Sequence, residues 1–286
     1  MEGLDLPSFD LVVATVDRAD GLRILLDSLD RQTHRRFRVL AVDQNPDDRI
    51  LPALAESHGL EIVHLRAPVG LSRARNVALP HLAADVVAFP DDDCAYPEDL
   101  LERVAIRLAK RPDLDAVTGR TTDADGRSAG RWSTAPGVVT RDTVWHRANS
   151  ASMFLRRELV EHVGAFDERL GLGSGTLAAS GEEIDYLVRA LEAGATIEYD
   201  PSLVVHHELR PFTRESLRAV GRRDGASVGF ILRKHRYGAR TVGRMLVRPV
   251  GGTVVSLAHR DVGRAQFHLA TFRGRIAGLR AGAGSV

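Results

Sequence analysis

The stretch VAFPDDDCAYPEDL runs from Val87 to Leu100 and places Asp91, Asp92 and Asp93 between an apolar run and a helical pattern. Adjacent carboxylates repel one another, so such a cluster needs cations, hydrogen bonds or protonation to exist. Hard oxygen ligands suit Mg²⁺ or Mn²⁺, which keep several waters and take further ligands from phosphates. The plain alternative is a solvated acidic turn capping the helix that starts near Pro97, where favourable charge is worth only about 0.3–1 kcal/mol.

The elements that must position this cluster are regular. DLVVATV (Asp10 to Val16), FRVLAVDQN (Phe37 to Asn45), LEIVHLR and DVVAFP read as strands. Between them lie helical patterns: Leu22, Leu25, Leu26 and Leu29 fall at i, i+3, i+4, i+7, with Asp20 as the expected N-cap. LPALAESHG is a short helix stopping at Gly59, LSRARNVALPHLA a second, and YPEDLLERVAIRLAKRP a third, bounded by Pro97 and Pro112. Strand and helix alternating at this spacing predict an α/β fold with a Rossmann-like, mostly parallel sheet flanked by helices. In such sheets ligands bind at the carboxyl ends of the strands. Three strands end there in polar clusters: Asp17-Arg18, Asp43-Gln44-Asn45 and the three aspartates. No GxGxxG follows the first strand and no Walker A sequence occurs, which removes the main support for dinucleotide or P-loop binding.

The second half is less regular. Residues 119–147, with Trp132 and Trp145, read as a long loop with room for a hairpin. SASMFLRRELVEHVGAFDERL suggests a strand running into a helix, Gly171 to Glu183 a glycine-rich loop, and ATIEYDPSLVVHHE a strand pair or one extended segment.

Composition sets outer bounds. With 286 residues, 44% hydrophobic and 27% charged, the chain is globular and large enough for a sizeable core. The single cysteine, Cys94, excludes an internal disulfide, and the acidic N-terminus is not a signal peptide; both predict a cytoplasmic protein. No apolar run is long enough to span a bilayer. Charge is lopsided: residues 210–286 hold 16 Lys and Arg against 3 Asp and Glu, while the whole chain is only +1. An acidic body therefore carries a basic tail.

Taken in order, these motifs resemble those of a family-2 glycosyltransferase with the GT-A fold, an inverting, nucleotide-sugar-dependent enzyme. The resemblance covers roughly residues 8–210. VVATVDRADGL resembles the family's opening strand and turn, with Ala14-Thr15-Val16-Asp17-Arg18 in place of Pro-Thr-Tyr-Asn-Arg. VLAVDQNPDD resembles the second-strand motif, VGLSRARNVAL the Gly…Ala-Arg-Asn segment, and FPDDDCAYP the DXD motif. Val163 to Glu168 matches Val-Gly-X-Phe-Asp-Glu, Gly181 to Asp185 matches Gly-Glu-Asp-X-Asp, and a strand ends at His206-His207. The implied organisation is a catalytic domain over 1–210, with a nucleotide-binding half (1–112) and an acceptor half (113–210), then a basic helical extension over 211–286.

The resemblance implies attack of an acceptor hydroxyl on a nucleoside diphosphate sugar. A divalent metal, Mn²⁺ or Mg²⁺, would stabilise the leaving diphosphate. Asp93 is the expected metal ligand, with Asp91 on the ribose or metal waters and Asp92 in support. His207 would complete the metal shell, with His206 as the neighbouring alternative. Thr15, Asp17 and Arg18 would line the base and ribose pocket. Asp43 would accept an N–H from uracil, thymine or guanine, leaving UDP, dTDP and GDP donors open. Arg75, or Arg73, would reach base or phosphate. Glu183 would be the general base, with Glu182 and Asp185 orienting it or the acceptor. On a helical wheel whose core face holds Ile184, Leu187 and Leu191, Glu183 and Asp185 flank that face and Glu182 points further away. Trp132 and Trp145 are candidates for stacking on the acceptor, and the Gly171–Gly181 loop for closing over the donor.

Beyond Arg210 the resemblance fades, and arginines alternate with Leu, Val, Phe and Ile as amphipathic basic helices. Such helices lie on anionic membranes, here the inner face of the plasma membrane with a glycan, lipid-linked or cell-envelope acceptor. They could equally pack on the acidic body. No nucleic-acid-binding module is recognisable. Two other functions fit less well. A sugar nucleotidyltransferase would want a basic, glycine-rich phosphate loop after the first strand, and ATVDRADG lacks it. A degenerate sugar-binding scaffold would have little use for the retained acids.

Overall fold

The computed structural model describes residues 4–56, 59–123, 125–128, 132–208 and 213–281. In chain order its elements are β1 (Phe9–Thr15), α1 (Ala19–Asp30), β2 (Phe37–Asp43), α2 (Leu51–Ala55), β3 (Ile62–Arg66), α3 (Leu71–Ala78), β4 (Val86–Ala88), β5 (Cys94–Ala95), α4 (Leu100–Lys110), β6 (Ala116–Thr122), β7 (Gly137–Val138), β8 (Met153–Arg156), α5 (Arg157–Val163), α6 (Glu182–Glu192), β9 (Ile197–His207), α7 (Arg214–Lys234), α8 (Ala239–Ala258) and α9 (Val262–Arg280). The chain divides into two compact units. One comprises Met1–Val69, Arg73–Phe166 and Tyr186–Leu209; the other Gly70–Ser72, Asp167–Asp185 and Arg210–Val286. The sequence-based boundary at 210/211 falls outside the described residues.

The first unit is built on one sheet of order β3-β2-β1-β4-β8-β6-β9-β5, with β7 paired to β9. β3, β2, β1 and β4 are parallel throughout. This half is what the βαβ alternation predicts. Beyond β4 the sheet becomes mixed: β8 runs antiparallel to both β4 and β6, and β6 pairs parallel with β9. The core beneath β1 and β2 collects Leu22, Leu25, Leu26 and Leu29 from α1 and Leu100, Leu101, Val104 and Leu108 from α4, all buried. These are the positions the helical spacing marks.

Several local expectations are corrected. Asp20 is not the N-cap of α1; the helix begins at Ala19, Arg18 occupies the cap without a side-chain bond, and Asp20 sits in the first turn. A guanidinium has no acceptor to offer the first N–H groups, so this helix start has no side-chain cap. The short α2 ends at Ala55 rather than running to Gly59. Residues 119–122 belong to β6 and residues 137–138 form β7, so the segment read as a long loop is partly strand; residues 124 and 129–131 of it lie outside the described residues. ATIEYDPSLVVHHE is one eleven-residue strand, β9, not a pair.

In the second unit α7 and α9 pack backbone to backbone. A Cβ on Gly225 would overlap the carbonyl of Thr271, and one on Gly278 the carbonyl of Ala226. Small residues at these positions are what let two helices approach so closely. α8 has a different problem. Pro249 lies inside it, and proline has no N–H to give the carbonyl four residues earlier. That carbonyl, of Met245, is reached instead by Nη1 of Arg275 from α9. Burial and the nearby Arg248 lower the Arg275 guanidinium to about 10. No helix among the described residues is long and apolar enough to cross a membrane. Val247, Val250, Val254 and Leu257, spaced three or four residues apart on α8, are all exposed.

The exchange of a missing N–H for a guanidinium is testable by a double-mutant cycle in urea. Arg275→Leu should cost about 1–2 kcal/mol more in the native sequence than in a Pro249→Ala background, where the alanine N–H serves Met245 itself. Equal costs in both backgrounds would contradict this account.

Candidate active site

In the first unit the strand register aligns the polar ends. Thr15 lies opposite Asp43, and Asp43 opposite Arg66, forming one row across β1, β2 and β3. Asp43 is fully buried, so its charge must be met by partners. One oxygen accepts from the Asn45 N–H at 2.9 Å and the Asn45 side-chain amide at 2.8 Å. The other lies 3.1 Å from both Arg66 Nη1 and His64 Nε2. Asn45 thus departs from the family's residue but has a clear task. It also accepts the Asp17 N–H at 2.8 Å, holding Asp17 at a φ of +56°, a conformation most side chains avoid. Asp17 itself pairs with Arg49.

The three aspartates form the turn between β4 and β5. Asp91 makes a bridge to Ala14 at the end of β1. β5 pairs antiparallel with the end of β9, setting Cys94 opposite His207 and Ala95 opposite His206. This pairing brings His207 Nε2 to 3.2 Å from Asp93 Oδ1. His206, the next residue on a strand, is exposed, as alternation requires. Arg18 closes the other side: its Nη1 is 2.5 Å from Asp93 Oδ2 and 3.2 Å from Asp92 Oδ1. Gly21 in the first turn of α1 makes room for the turn, since a Cβ there would stand 2.9 Å from the Asp92 carbonyl.

The three carboxyls consequently differ. Burial lifts Asp92 to about 6, despite Arg18 nearby. His207 is raised above its ordinary value by its hydrogen bond to Asp93. Asp91 accepts from the Ser150 hydroxyl at 3.3 Å and has Arg75 Nη2 at 3.7 Å. Arg75 is buried, its guanidinium over the rings of Phe89 and Phe166 at 5.6 and 5.4 Å. It backs Asp91 from the interior rather than presenting an exposed arm. The adjacent Asn76 both donates to the Phe166 carbonyl (3.1 Å) and accepts its N–H (2.7 Å), fastening the Ala-Arg-Asn segment to the Val-Gly-X-Phe segment.

Two carboxylates and an imidazole, Asp91, Asp93 and His207, are donors of the type a hard divalent cation takes. Among the described residues no group of three His, Cys, Asp or Glu side chains already stands in ligand positions. The fit is therefore one of donor chemistry and of two converging donors, Asp93 and His207.

The second unit holds the other acids. Glu182 and Asp185 are buried, at 5% and 0% exposure, while Glu183 is half-buried. The wheel misplaced Glu182. It took the core as one-sided, whereas the first turn of α6 also carries the Gly171 backbone beside it; a Cβ on Gly171 would lie 3.4 Å from Glu182 Oε2. Asp185 meets Lys234 and His235, at 2.7 and 2.8 Å. Neither Lys234 nor His235 stands out in the sequence, where both merge into the basic tail. Trp132 and Trp145 are half-buried in the first unit, on segments tied by the Ser133 N–H to the His146 carbonyl at 3.0 Å.

Comparison with known proteins agrees with this arrangement. The profile of Glycosyl transferase family 2 matches residues 10–166. The glycosyltransferase AglE of Haloferax volcanii is 25% identical over 218 residues, 72% of this chain and 69% of AglE. The succinoglycan biosynthesis protein ExoM of Rhizobium meliloti is 28% identical over 246 residues, 81% of this chain and 77% of ExoM. Among solved structures, the mannosyltransferase PcManGT of Pyrobaculum calidifontis, in complex with GDP-Man and Mn²⁺, superposes with a TM-score of 0.69 at 18% identity over 98% of this chain and 91% of that one. TarS of S. aureus gives 0.62 at 16% identity, covering 91% of this chain but only 54% of TarS. The structural likenesses establish the GT-A fold, and the profile, spanning more than half of the sequence, establishes the rest: the chain belongs to glycosyl transferase family 2 and is a glycosyltransferase.

Proposed function

We propose that this protein moves a sugar from a nucleoside diphosphate sugar to an acceptor hydroxyl with inversion at the anomeric carbon. The observation that carries this reading is the meeting of Asp93, His207 and Arg18 at the carboxyl ends of the strands. A divalent cation, Mn²⁺ or Mg²⁺, would be held by Asp93 and His207 with Asp91 beside them. When bound, it would supply charge to neutralise the departing diphosphate. Structures of relatives with GDP-Man and Mn²⁺ and with UDP-GlcNAc support a nucleotide sugar as donor without choosing the base.

The chain's own residues divide the remaining work. Asp43, fixed by Asn45, Arg66 and His64, receives an N–H of the base, and Thr15 and Asp17 flank the ribose. Arg18 adds positive charge beside the diphosphate. Glu183 takes the proton of the acceptor hydroxyl as its oxygen bonds to the anomeric carbon and the sugar–phosphate bond breaks. Its partial exposure suits this task better than the buried Glu182 and Asp185. Trp132 and Trp145 serve the acceptor, a glycan or lipid-linked hydroxyl. The catalytic part spans 1–210, and 211–286 forms a basic extension. That extension would hold the protein against an anionic cytoplasmic membrane face. The exposed α8 stripe, flanked by Arg240, Arg244 and Arg248 with no acidic residue in the helix, supports this.

Isothermal titration with UDP, GDP and dTDP, with and without Mn²⁺, tests the donor site first. One nucleotide should bind selectively and with Mn²⁺ dependence, and Asp93→Ala should abolish that dependence; folded protein that binds none would turn the reading towards a scaffold. Glu183→Gln should keep nucleotide affinity and lower turnover on the order of 10²–10⁴-fold. A variant as active as wild type would remove Glu183 from the role. Replacing Val247, Val250, Val254 and Leu257 together by Ser should weaken binding to phosphatidylglycerol vesicles at low salt on the order of tenfold or more; unchanged co-sedimentation would dismiss the α8 contact.

A further inference from the structure

Asp185 is a carboxylate with no solvent exposure, and the end of α7 brings two side chains to it. Lys234 Nζ lies 2.7 Å and His235 Nε2 2.8 Å from the same oxygen, Oδ1. Lys234 is the last residue of α7 and His235 caps it. The Lys234 ammonium at a helix C-terminus and a carboxylate in the first turn of another helix both agree with the peptide dipoles. Breaking a buried pair by removing one partner leaves an uncompensated charge, so these contacts are stiff.

Lys234 has a second carboxylate. Its Nζ is 2.8 Å from Asp167 Oδ2, the oxygen that Arg169 Nη2 also holds at 2.7 Å, while Arg169 Nε takes Oδ1 at 2.9 Å. Burial alone would push Asp167 up, but the hydrogen bonds from Arg169 and Lys234 prevail and hold its carboxyl well below the usual range. Arg169 in turn rests on the Phe230 ring of α7, 5.0 Å from its centroid. Asp167 opens the glycine-rich segment and Asp185 stands just beyond its end. One ammonium therefore clamps both ends of the segment that leads into α6. The Ser180–Ser227 hydroxyl bond, at 2.9 Å, ties the same segment to α7 about two turns earlier.

A general base must be reachable by the hydroxyl it deprotonates. Asp185 is not, and its Oδ1 already holds the Lys234 ammonium and the His235 ring nitrogen. Glu183, two residues away in the same turn, has the exposure that Asp185 lacks. We infer that Lys234 and His235, at the end of α7, are positioning residues for glycosyl transfer: by holding Asp185 and Asp167 they fix the first turn of α6 and so the direction of the Glu183 carboxylate. The inference rests on the reading of Glu183 as base. It gives the basic extension a catalytic task separate from any surface it binds.

The test uses the full chain and steady-state hydrolysis of UDP-glucose, GDP-mannose and dTDP-glucose with Mn²⁺, following kcat, KM and Tm. For the donor that wild type turns over, Lys234→Met should lower kcat about 10- to 100-fold while KM stays within about twofold, as expected for a misdirected base. Lys234→Arg should restore most of the loss. His235→Gln should lower kcat in the same way and serves if Lys234→Met does not fold. A kcat within about twofold of wild type in both variants, or a loss matched by the unfolded fraction at the assay temperature and not rescued by Arg, overturns the inference alone when Glu183→Gln is inactive. A fully active Glu183→Gln, or a wild type that hydrolyses none of the donors, overturns the base reading and the inference with it.

Discussion

Three carboxylates in sequence at the mouth of a sheet are tolerable only if each meets a different environment, and much of the first unit follows from that demand. Asp91 is drawn back against β1, with Arg75 behind it and the Ser150 hydroxyl in front. Asp92 is buried, and that burial lifts its carboxyl to about 6. Asp93 alone is left to share its oxygens between Arg18 and His207. The short β5–β9 pairing brings His207 there, and Arg18, at the start of α1, faces the same carboxylate. A cation that binds at Asp93 must compete with a guanidinium and an imidazole already in contact, which ties nucleotide, metal and protein charge into one electrostatic balance.

The same logic governs Asp43, though with the opposite outcome. Its charge is fully enclosed and satisfied by Asn45, His64 and Arg66 before any ligand arrives. A carboxylate so held cannot rotate. The departures of Gln44 and Asn45 from the family's usual residues therefore do not weaken the row Thr15–Asp43–Arg66. Asn45 steadies the aspartate with its backbone N–H and its side-chain amide.

The parallel half of the sheet was legible because apolar runs alternate with helical spacing, and Leu22, Leu25, Leu26 and Leu29 fall where the periodicity puts them. The acidic cluster, the ordered motifs and His207 were legible for the same reason: they are local. What escaped was non-local. Nothing in the string Ala-Val-Asp-Gln-Asn says that Arg66, on the next strand, will stand beside Asp43; that follows from parallel register. Arg75 read as a reaching arm because exposure is not written in sequence, and only the Phe89 and Phe166 rings reveal it as an interior support. Lys234 and His235 vanished into a tail whose sixteen basic residues invited one collective explanation.

That collective explanation deserves to be divided. Arg275 serves a carbonyl that Pro249 leaves without a donor, Arg233 donates to the last carbonyls of α9, and Lys234 joins the half-buried Asp167 to the buried Asp185. Each has a partner within the protein, although Arg233 itself is exposed. Arg240, Arg244 and Arg248 lie on α8 with the exposed stripe, a helix without a single carboxylate. A net charge of +13 thus overstates what the extension offers to an anionic membrane, and the argument for such a contact rests on α8 in particular: its apolar face supplies the burial, and its own arginines supply the sign.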